Sequence, residues 1–308
     1  MAAFVTRNLS PHKPSAVYDA GDVKRIMHYL LLFLIGYVLL TLFLLWREPS
    51  MIYFPDSDIA TTPNKLGFQY EEVWLTTADG VKIQTWFLPA GTTNTPVVLF
   101  FHGNGGNLSH RFEKLNILRN LGVNTFIVSY RGYGQSEGKP NEAGTYADAQ
   151  AAYTYLTGTR AVPARRIVAY GESLGAAVAI DLAAKVPVGG VIVEEAFTSV
   201  PDMAQRMFPF LPVRWLVRNR YDSLSKIAGI RAPLLAFHSR DDEVTAFVFG
   251  QRLFAAAREP EPKQSGDAAR RPCGNRFVEL TGNHNDAFLT SVETYTTALR
   301  EFFAGLRQ

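Results

Sequence analysis

Residues 167–185 constrain this chain more than any other stretch. Ile167-Val168-Ala169-Tyr170 is a short apolar run of the kind that fills a buried parallel strand. Gly171-Glu172-Ser173-Leu174-Gly175 makes a tight turn. The small-residue run from Ala176 to Ala184 then reads as a helix that stops before Pro187. A strand, a G-x-S-x-G turn and a helix in succession lift a serine hydroxyl off the end of a sheet. A base can then reach it from one side and a substrate from the other. Gly171 and Gly175 suit positions where neighbouring backbone passes too close for a Cβ.

The rest of the chain supplies a sheet for this turn. Residues 70–75 and 82–88 flank Asp79-Gly80 and predict an antiparallel hairpin. Apolar runs at 96–101, 124–130, 191–193, 234–237 and 277–280 follow, with helical patterns at about 108–120 and 142–156. Strands alternating with helices predict an α/β class with a mostly parallel eight-stranded sheet covered on both faces. Residues 51–308 form one such domain, with a short lid at 197–232 and a Pro-, Gly- and charge-rich loop insertion at 258–275.

Ahead of it, residues 26–46 are almost wholly apolar, long enough to cross about 30 Å of hydrocarbon as a helix. Lys24-Arg25 and Arg47-Glu48 bracket the run. It is too long, and its leader too long, for a cleaved signal peptide. We read it as a single-pass signal anchor behind a floppy tail of residues 1–25. Arg7, Lys13, Lys24 and Arg25 precede it, so the positive-inside rule places the N-terminus in the cytoplasm and the large domain on the far side. Tyr53-Phe54 should pack as an aromatic pair against the edge of the domain.

A net charge of +3 with no basic block argues against nucleic acid. The single cysteine, Cys273, excludes an intrachain disulfide framework and a multi-cysteine zinc site. Neither a P-loop nor a complete dinucleotide fingerprint is present, and no cofactor or metal is expected.

His102-Gly103-Asn104-Gly105-Gly106 lies at the carboxyl end of a predicted strand, where open α/β sheets bind ligands. The backbone amides of Asn104 and Leu174 are the candidate oxyanion donors, a contact worth about 3 kcal/mol each. Asn107 reads as a helix cap. A serine also needs a base and an orienting acid. Of the six histidines, His12 and His28 lie in the tail and anchor, and His102 and His110 belong to the glycine turn and the helix after it. His238 ends a strand and reads as a buried structural histidine. His284, after the last strand and C-terminal to the serine, is the candidate base. Asp242 is the candidate acid, with Asp241 in reserve. Glu194 and Glu195 offer a further possible acid, though a loop or salt-bridge role fits them better. Asp286 should cap the helix that follows.

These motifs resemble one group in both composition and order. They are Tyr53-Phe54-Pro55, His102-Gly103-Asn104-Gly105-Gly106-Asn107, Tyr130-Arg131-Gly132-Tyr133-Gly134-x-Ser136-Glu137-Gly138, Gly171-Glu172-Ser173-Leu174-Gly175, Asp242-Glu243-Val244 and Gly282-x-His284-Asn285-Asp286. The chain from Ile52 onward is similar to the membrane-anchored α/β-hydrolases of the bud-emergence-mutant-like group of serine hydrolases. The resemblance implies the α/β-hydrolase fold, with Ser173 as nucleophile, Asp242 as acid and His284 as base. It implies acyl chemistry without fixing the substrate: lysophospholipids, acyl thioesters and small esters all occur among related groups. Ser239 stands where that pattern has glycine, and the 258–275 loop is longer than in the pattern.

The lid carries Phe208, Phe210 and Trp215 with Arg206, Arg214, Arg218 and Arg220. It predicts an apolar acyl groove with the arginines near an anionic or headgroup end of the substrate; the competing reading is a lid core of aromatics with a solvated arginine face. The expected activity is hydrolysis of carboxylic esters or thioesters. The rivals are a lipase-type activity, a peptidase, or a membrane-tethered binding protein on the same fold.

Overall fold

The computed structural model describes residues 19–90, 95–260 and 274–306. Residues 1–18, Cys273 and most of the 258–275 loop lie outside the described residues. The chain divides into two units, residues 1–46 and 47–308.

The first unit is the greater part of α1 (Ala20–Ile52), a 33-residue helix whose apolar window is almost entirely unburied. By length and composition this helix is able to cross a membrane. It outruns the predicted 26–46 span at both ends. Hydropathy marks where hydrocarbon would end, whereas backbone hydrogen bonding continues through polar flanks. Pro49 sits in the last turn, where little helix remains to be interrupted.

In the second unit the strands are β1 (Phe54–Pro55), β2 (Glu71–Thr76), β3 (Lys82–Leu88), β4 (Val97–Phe101), β5 (Gly105–Gly106), β6 (Asn124–Val128), β7 (Ile167–Glu172), β8 (Gly190–Glu194), β9 (Leu234–Ser239) and β10 (Arg276–Leu280). The helices are α2 (Phe112–Asn120), α3 (Glu142–Thr154), α4 (Leu174–Lys185), α5 (Val200–Met207), α6 (Val213–Leu216), α7 (Ser223–Ile227), α8 (Phe247–Ala256), α9 (Ala287–Thr290) and α10 (Val292–Leu306). Eight strands form one sheet in the order β10-β9-β8-β7-β4-β6-β3-β2. Its pairings are parallel from β10 to β6 and antiparallel at β6–β3 and β3–β2. β1 and β5 pair in parallel as a separate two-stranded ribbon.

The central strands are apolar throughout because both faces are covered. Along β4, Leu99 and Phe101 enter one core cluster while Val98 and Phe100 enter the other, the alternation a strand imposes. β2, at the edge, buries only Val73 and Leu75. The helix predicted at 108–120 is interrupted. A 3-10 turn at Leu108–His110 precedes α2, and Asn107 caps that turn by accepting from the Ser109 N–H at 2.9 Å. α3 ends at Thr154 and passes into a π turn.

Residues 48–53 are tied to the end of the lid. The Glu48 carboxylate accepts from the N–H groups of Arg218 at 3.1 Å and Asn219 at 2.7 Å. The Tyr53 hydroxyl donates to Asn219 Oδ1 at 2.9 Å. Of the expected aromatic pair only Tyr53, which precedes β1, is buried; Phe54, in β1, is exposed.

Candidate active site

The turn after β7 places Ser173 at φ +52°, a left-handed conformation costly for a side-chain-bearing residue. The flanking glycines hold it there. A Cβ on Gly171 would stand 2.0 Å from the Gly175 carbonyl oxygen, and one on Gly175 would stand 2.0 Å from that of Phe101. The Ser173 N–H donates to the Glu194 carbonyl at 2.9 Å, so the neighbouring strand fastens the turn.

Three residues far apart in sequence meet at this rim. His284 Nε2 lies 3.0 Å from Ser173 Oγ, and His284 Nδ1 lies 2.8 Å from Asp242 Oδ2. A carboxylate only accepts, so Nδ1 carries the proton and Nε2 is left to accept from the serine hydroxyl. Asp242 Oδ1 accepts from the N–H groups of Val244 at 2.8 Å and Thr245 at 2.7 Å, and Thr245 Oγ1 donates to Oδ2 at 2.5 Å. Burial alone would raise the Asp242 carboxyl. Hydrogen bonds from His284, Glu195 and Thr245 outweigh it and hold the group below the usual carboxylate range. Asp241 Oδ2 turns instead to the Gly282 N–H at 3.3 Å. Asp286 occupies the position before α9 without capping it; its side chain accepts from the Asn283 N–H at 2.6 Å.

Ser239 joins the two loops that carry Asp242 and His284. Its Oγ donates to the Gly282 carbonyl at 2.5 Å and accepts from the Asp241 N–H at 3.1 Å. Glu195, Asp242 and His284 each bring one potential ligand atom within 4.8 Å of the others. These atoms are engaged in the hydrogen bonds between residues, and we assign no metal ligand among them.

The Asn104 loop is pinned from both sides. Its carbonyl accepts from the Phe54 N–H at 3.0 Å and the Tyr133 hydroxyl at 2.8 Å, and its side chain donates to the Ile52 carbonyl at 2.9 Å. Among the described residues, the backbone N–H groups of Asn104 and Leu174 make no hydrogen bond.

A cavity of about 560 Å³ opens at Ser173 and His284. One wall is charged, which the sequence reading missed. Glu172 accepts from Arg111 and lies 3.0 Å from Lys114, and Lys114 also pairs with Glu194. Burial pushes the Lys114 ammonium down, and the carboxylates restrain that shift. Burial would raise Glu172, yet Arg111 and Lys114 hold it well below the usual carboxylate range. The sequence signal was available: Arg111 and Lys114 are three apart, on one face of the start of α2. Ala287, Phe288 and Leu289 also line the cavity, and the Lys114 ammonium lies 4.3 Å from the centre of the Phe288 ring.

The lid aromatics stand elsewhere. Phe208, Phe210 and Trp215 do not line this cavity, and Phe210 and Trp215 are 91% and 80% exposed. The lid buries Pro201 and Val213 and packs Val200 and Met203 on the core. Its inward positions are thus filled by Phe197, Pro201, Val213, Tyr221 and Ile227 rather than by Phe208, Phe210 and Trp215.

The profile of the alpha/beta hydrolase family matches residues 98–303. The chain belongs to that family. It is 35% identical over 272 residues to the Arabidopsis thaliana alpha/beta hydrolase domain-containing protein WAV2, spanning 80% of this chain and 84% of that one. It is 36% identical over 178 residues to protein bem46 of Schizosaccharomyces pombe, spanning 54% of this chain and 60% of that one. Among solved structures, an esterase of Pyrococcus furiosus superposes with a TM-score of 0.65 at 19% identity, covering 83% of this α/β-hydrolase and 98% of that chain. At that identity the likeness is one of fold.

Proposed function

We propose that the chain is a membrane-anchored serine hydrolase that cleaves carboxylic esters or thioesters through an acyl-enzyme. The observation that carries this reading is the unbroken chain of hydrogen bonds from Ser173 Oγ through His284 to Asp242. In the proposed reaction His284 Nε2 takes the serine proton as Oγ attacks the carbonyl carbon. The amides of Asn104 and Leu174 receive the oxyanion, each contributing about 3 kcal/mol to the transition state. His284 then protonates the leaving oxygen or sulfur and later activates water against the acyl-serine. Asp242 keeps the proton on Nδ1 and stabilises the imidazolium.

The apolar helix α1 supports the anchor, and the basic residues ahead of it support a cytoplasmic N-terminus with the hydrolase unit on the other side. The charged wall beside Ser173 favours substrates with a polar portion, with the charge supplied by Arg111, Lys114 and Glu172 and not by the lid arginines of the expected groove. Labelling with a fluorophosphonate probe, compared between the wild-type chain and Ser173→Ala, tests the nucleophile. Labelling that persists without Ser173 removes the assignment. A panel of p-nitrophenyl esters, acyl thioesters, lysophospholipids and peptides then ranks the acyl donors.

A further inference from the structure

Asp242 has a carboxyl neighbour that the proposed reaction does not use. Glu195 directly follows β8 with φ +46°, a conformation that side-chain-bearing residues seldom adopt. Its N–H donates to the Phe237 carbonyl at 3.0 Å, and its own carbonyl lies 3.1 Å from Thr245 Oγ1. This backbone turns the side chain inward. Its two oxygens accept from the Ser239 N–H at 3.0 and 3.1 Å, and one lies within 4.8 Å of ligand atoms of both Asp242 and His284.

Two carboxyl groups this close and this buried resist ionising together. Among the described residues, the groups around the pair supply no spare cation. His238 Nε2 is 3.4 Å from Glu195 and 3.6 Å from Asp242, but it donates to the Thr245 carbonyl at 2.9 Å and burial keeps that ring neutral. Lys114, from α2, is committed to Glu172 and Glu194. His284 shares its Nδ1 proton with Asp242. Asp242, accepting from His284, Thr245 and two amides, is the better stabilised anion.

We infer that Glu195 is a neutral carboxylic acid that donates its proton in a hydrogen bond to the Asp242 carboxylate, and so acts as a positioning residue for the acid behind His284. This rests on the hydrolase reading above. The electrostatics agree: burial and the Asp242 charge push the Glu195 carboxyl up to about 9, against the opposing pull of the Ser239 amide and Lys114. The pair then carries one negative charge instead of two. A second full charge a few ångströms from the imidazole would move the acid limb of the pH–rate profile upward.

The test compares the wild-type chain with Glu195→Gln and Glu195→Ala, using p-nitrophenyl acetate as the probe. Glutamine keeps a neutral donor in the same place. The Gln variant should therefore hold its acid limb within about 0.3 pH unit of wild type. The Ala variant should lose about tenfold in kcat with KM little changed, the effect of one lost hydrogen bond to a charged group. Infrared difference spectra at neutral pH should show a protonated carboxyl band in wild type that Glu195→Gln removes. An acid limb that falls by about one pH unit in the Gln variant would mean Glu195 is ionised, and would overturn the inference. So would the absence of that band. If Glu195→Ala does not fold, the Gln variant and the infrared band carry the test. Failure of the hydrolase reading is separate: it shows as full activity in Ser173→Ala, while the infrared band does not depend on turnover.

Discussion

Ser239 Oγ donates to the Gly282 carbonyl at 2.5 Å, so one side chain on the acid's loop holds the loop of the base. The motif resemblance read from the sequence expects glycine there, and glycine cannot make this bond. Removing the hydroxyl by Ser239→Ala leaves a loop carbonyl unpaired, at a cost of about 1–2 kcal/mol. We expect a lower urea midpoint and a several-fold lower kcat. A variant unchanged in both would show that the loops keep their register without the bond.

The glycines of the serine turn tolerate no side chain. Gly175→Ala sets a methyl 2.0 Å from the Phe101 carbonyl oxygen, which is backbone of a central strand and has no room to retreat. The expected loss exceeds about 4 kcal/mol, enough to abolish a cooperative melt followed by circular dichroism. Normal melting would mean the strand shifts more easily than its position suggests.

Asp242→Asn should leave the fold intact and lower kcat about ten-thousandfold, because an amide at that position favours the wrong imidazole tautomer. Steady-state kinetics on a p-nitrophenyl ester measure the drop. A loss under tenfold would point to Asp241 or Glu195 as the working acid.

His102 gives the fold an acid sensitivity. Its Nδ1 donates to the Gly103 carbonyl at 2.7 Å, and its Nε2 is buried without a partner among the described residues. Burial, helped by Arg111, lowers the ring from 6.5 to about 3. A histidine depressed in the folded state contributes stability that is complete above 6.5 and fades as pH falls toward about 3. Thermal melts across that window should show His102→Gln less stable at neutral pH but losing less on acidification. Parallel pH curves for the two chains would contradict this.

Trp215 is 80% exposed and lies off the cavity. Trp215→Ser should change stability by no more than about 0.5 kcal/mol and leave kcat/KM for short esters unaltered. A large fall in kcat/KM would bring the lid back into substrate binding.

Most of the sheet was legible because strands buried on both faces read as unbroken apolar runs, and because the glycines around Ser173 are set by close backbone contacts. His284 could be found by elimination and chain order. Glu195 could not be placed in the same way. A carboxyl just past the end of a strand looks like a loop or salt-bridge residue until the φ of +46° that turns it inward is known. The charged wall escaped for a related reason: Glu172 lies in the serine turn, while Arg111 and Lys114 are about sixty residues earlier, and only the parallel pairing of β4 with β7 unites them. The lid misled because aromatic content does not reveal which face a short helix buries; here Val200, Met203 and Val213 took the inside.

Glu48 has a practical consequence for anyone trimming α1 from this chain. It stands only two positions after Trp46, yet its carboxylate closes two lid amides. A cut placed at the end of α1, just beyond Ile52, would discard that carboxylate together with the helix and free the lid's far end. Starting the chain at Arg47 preserves the clasp.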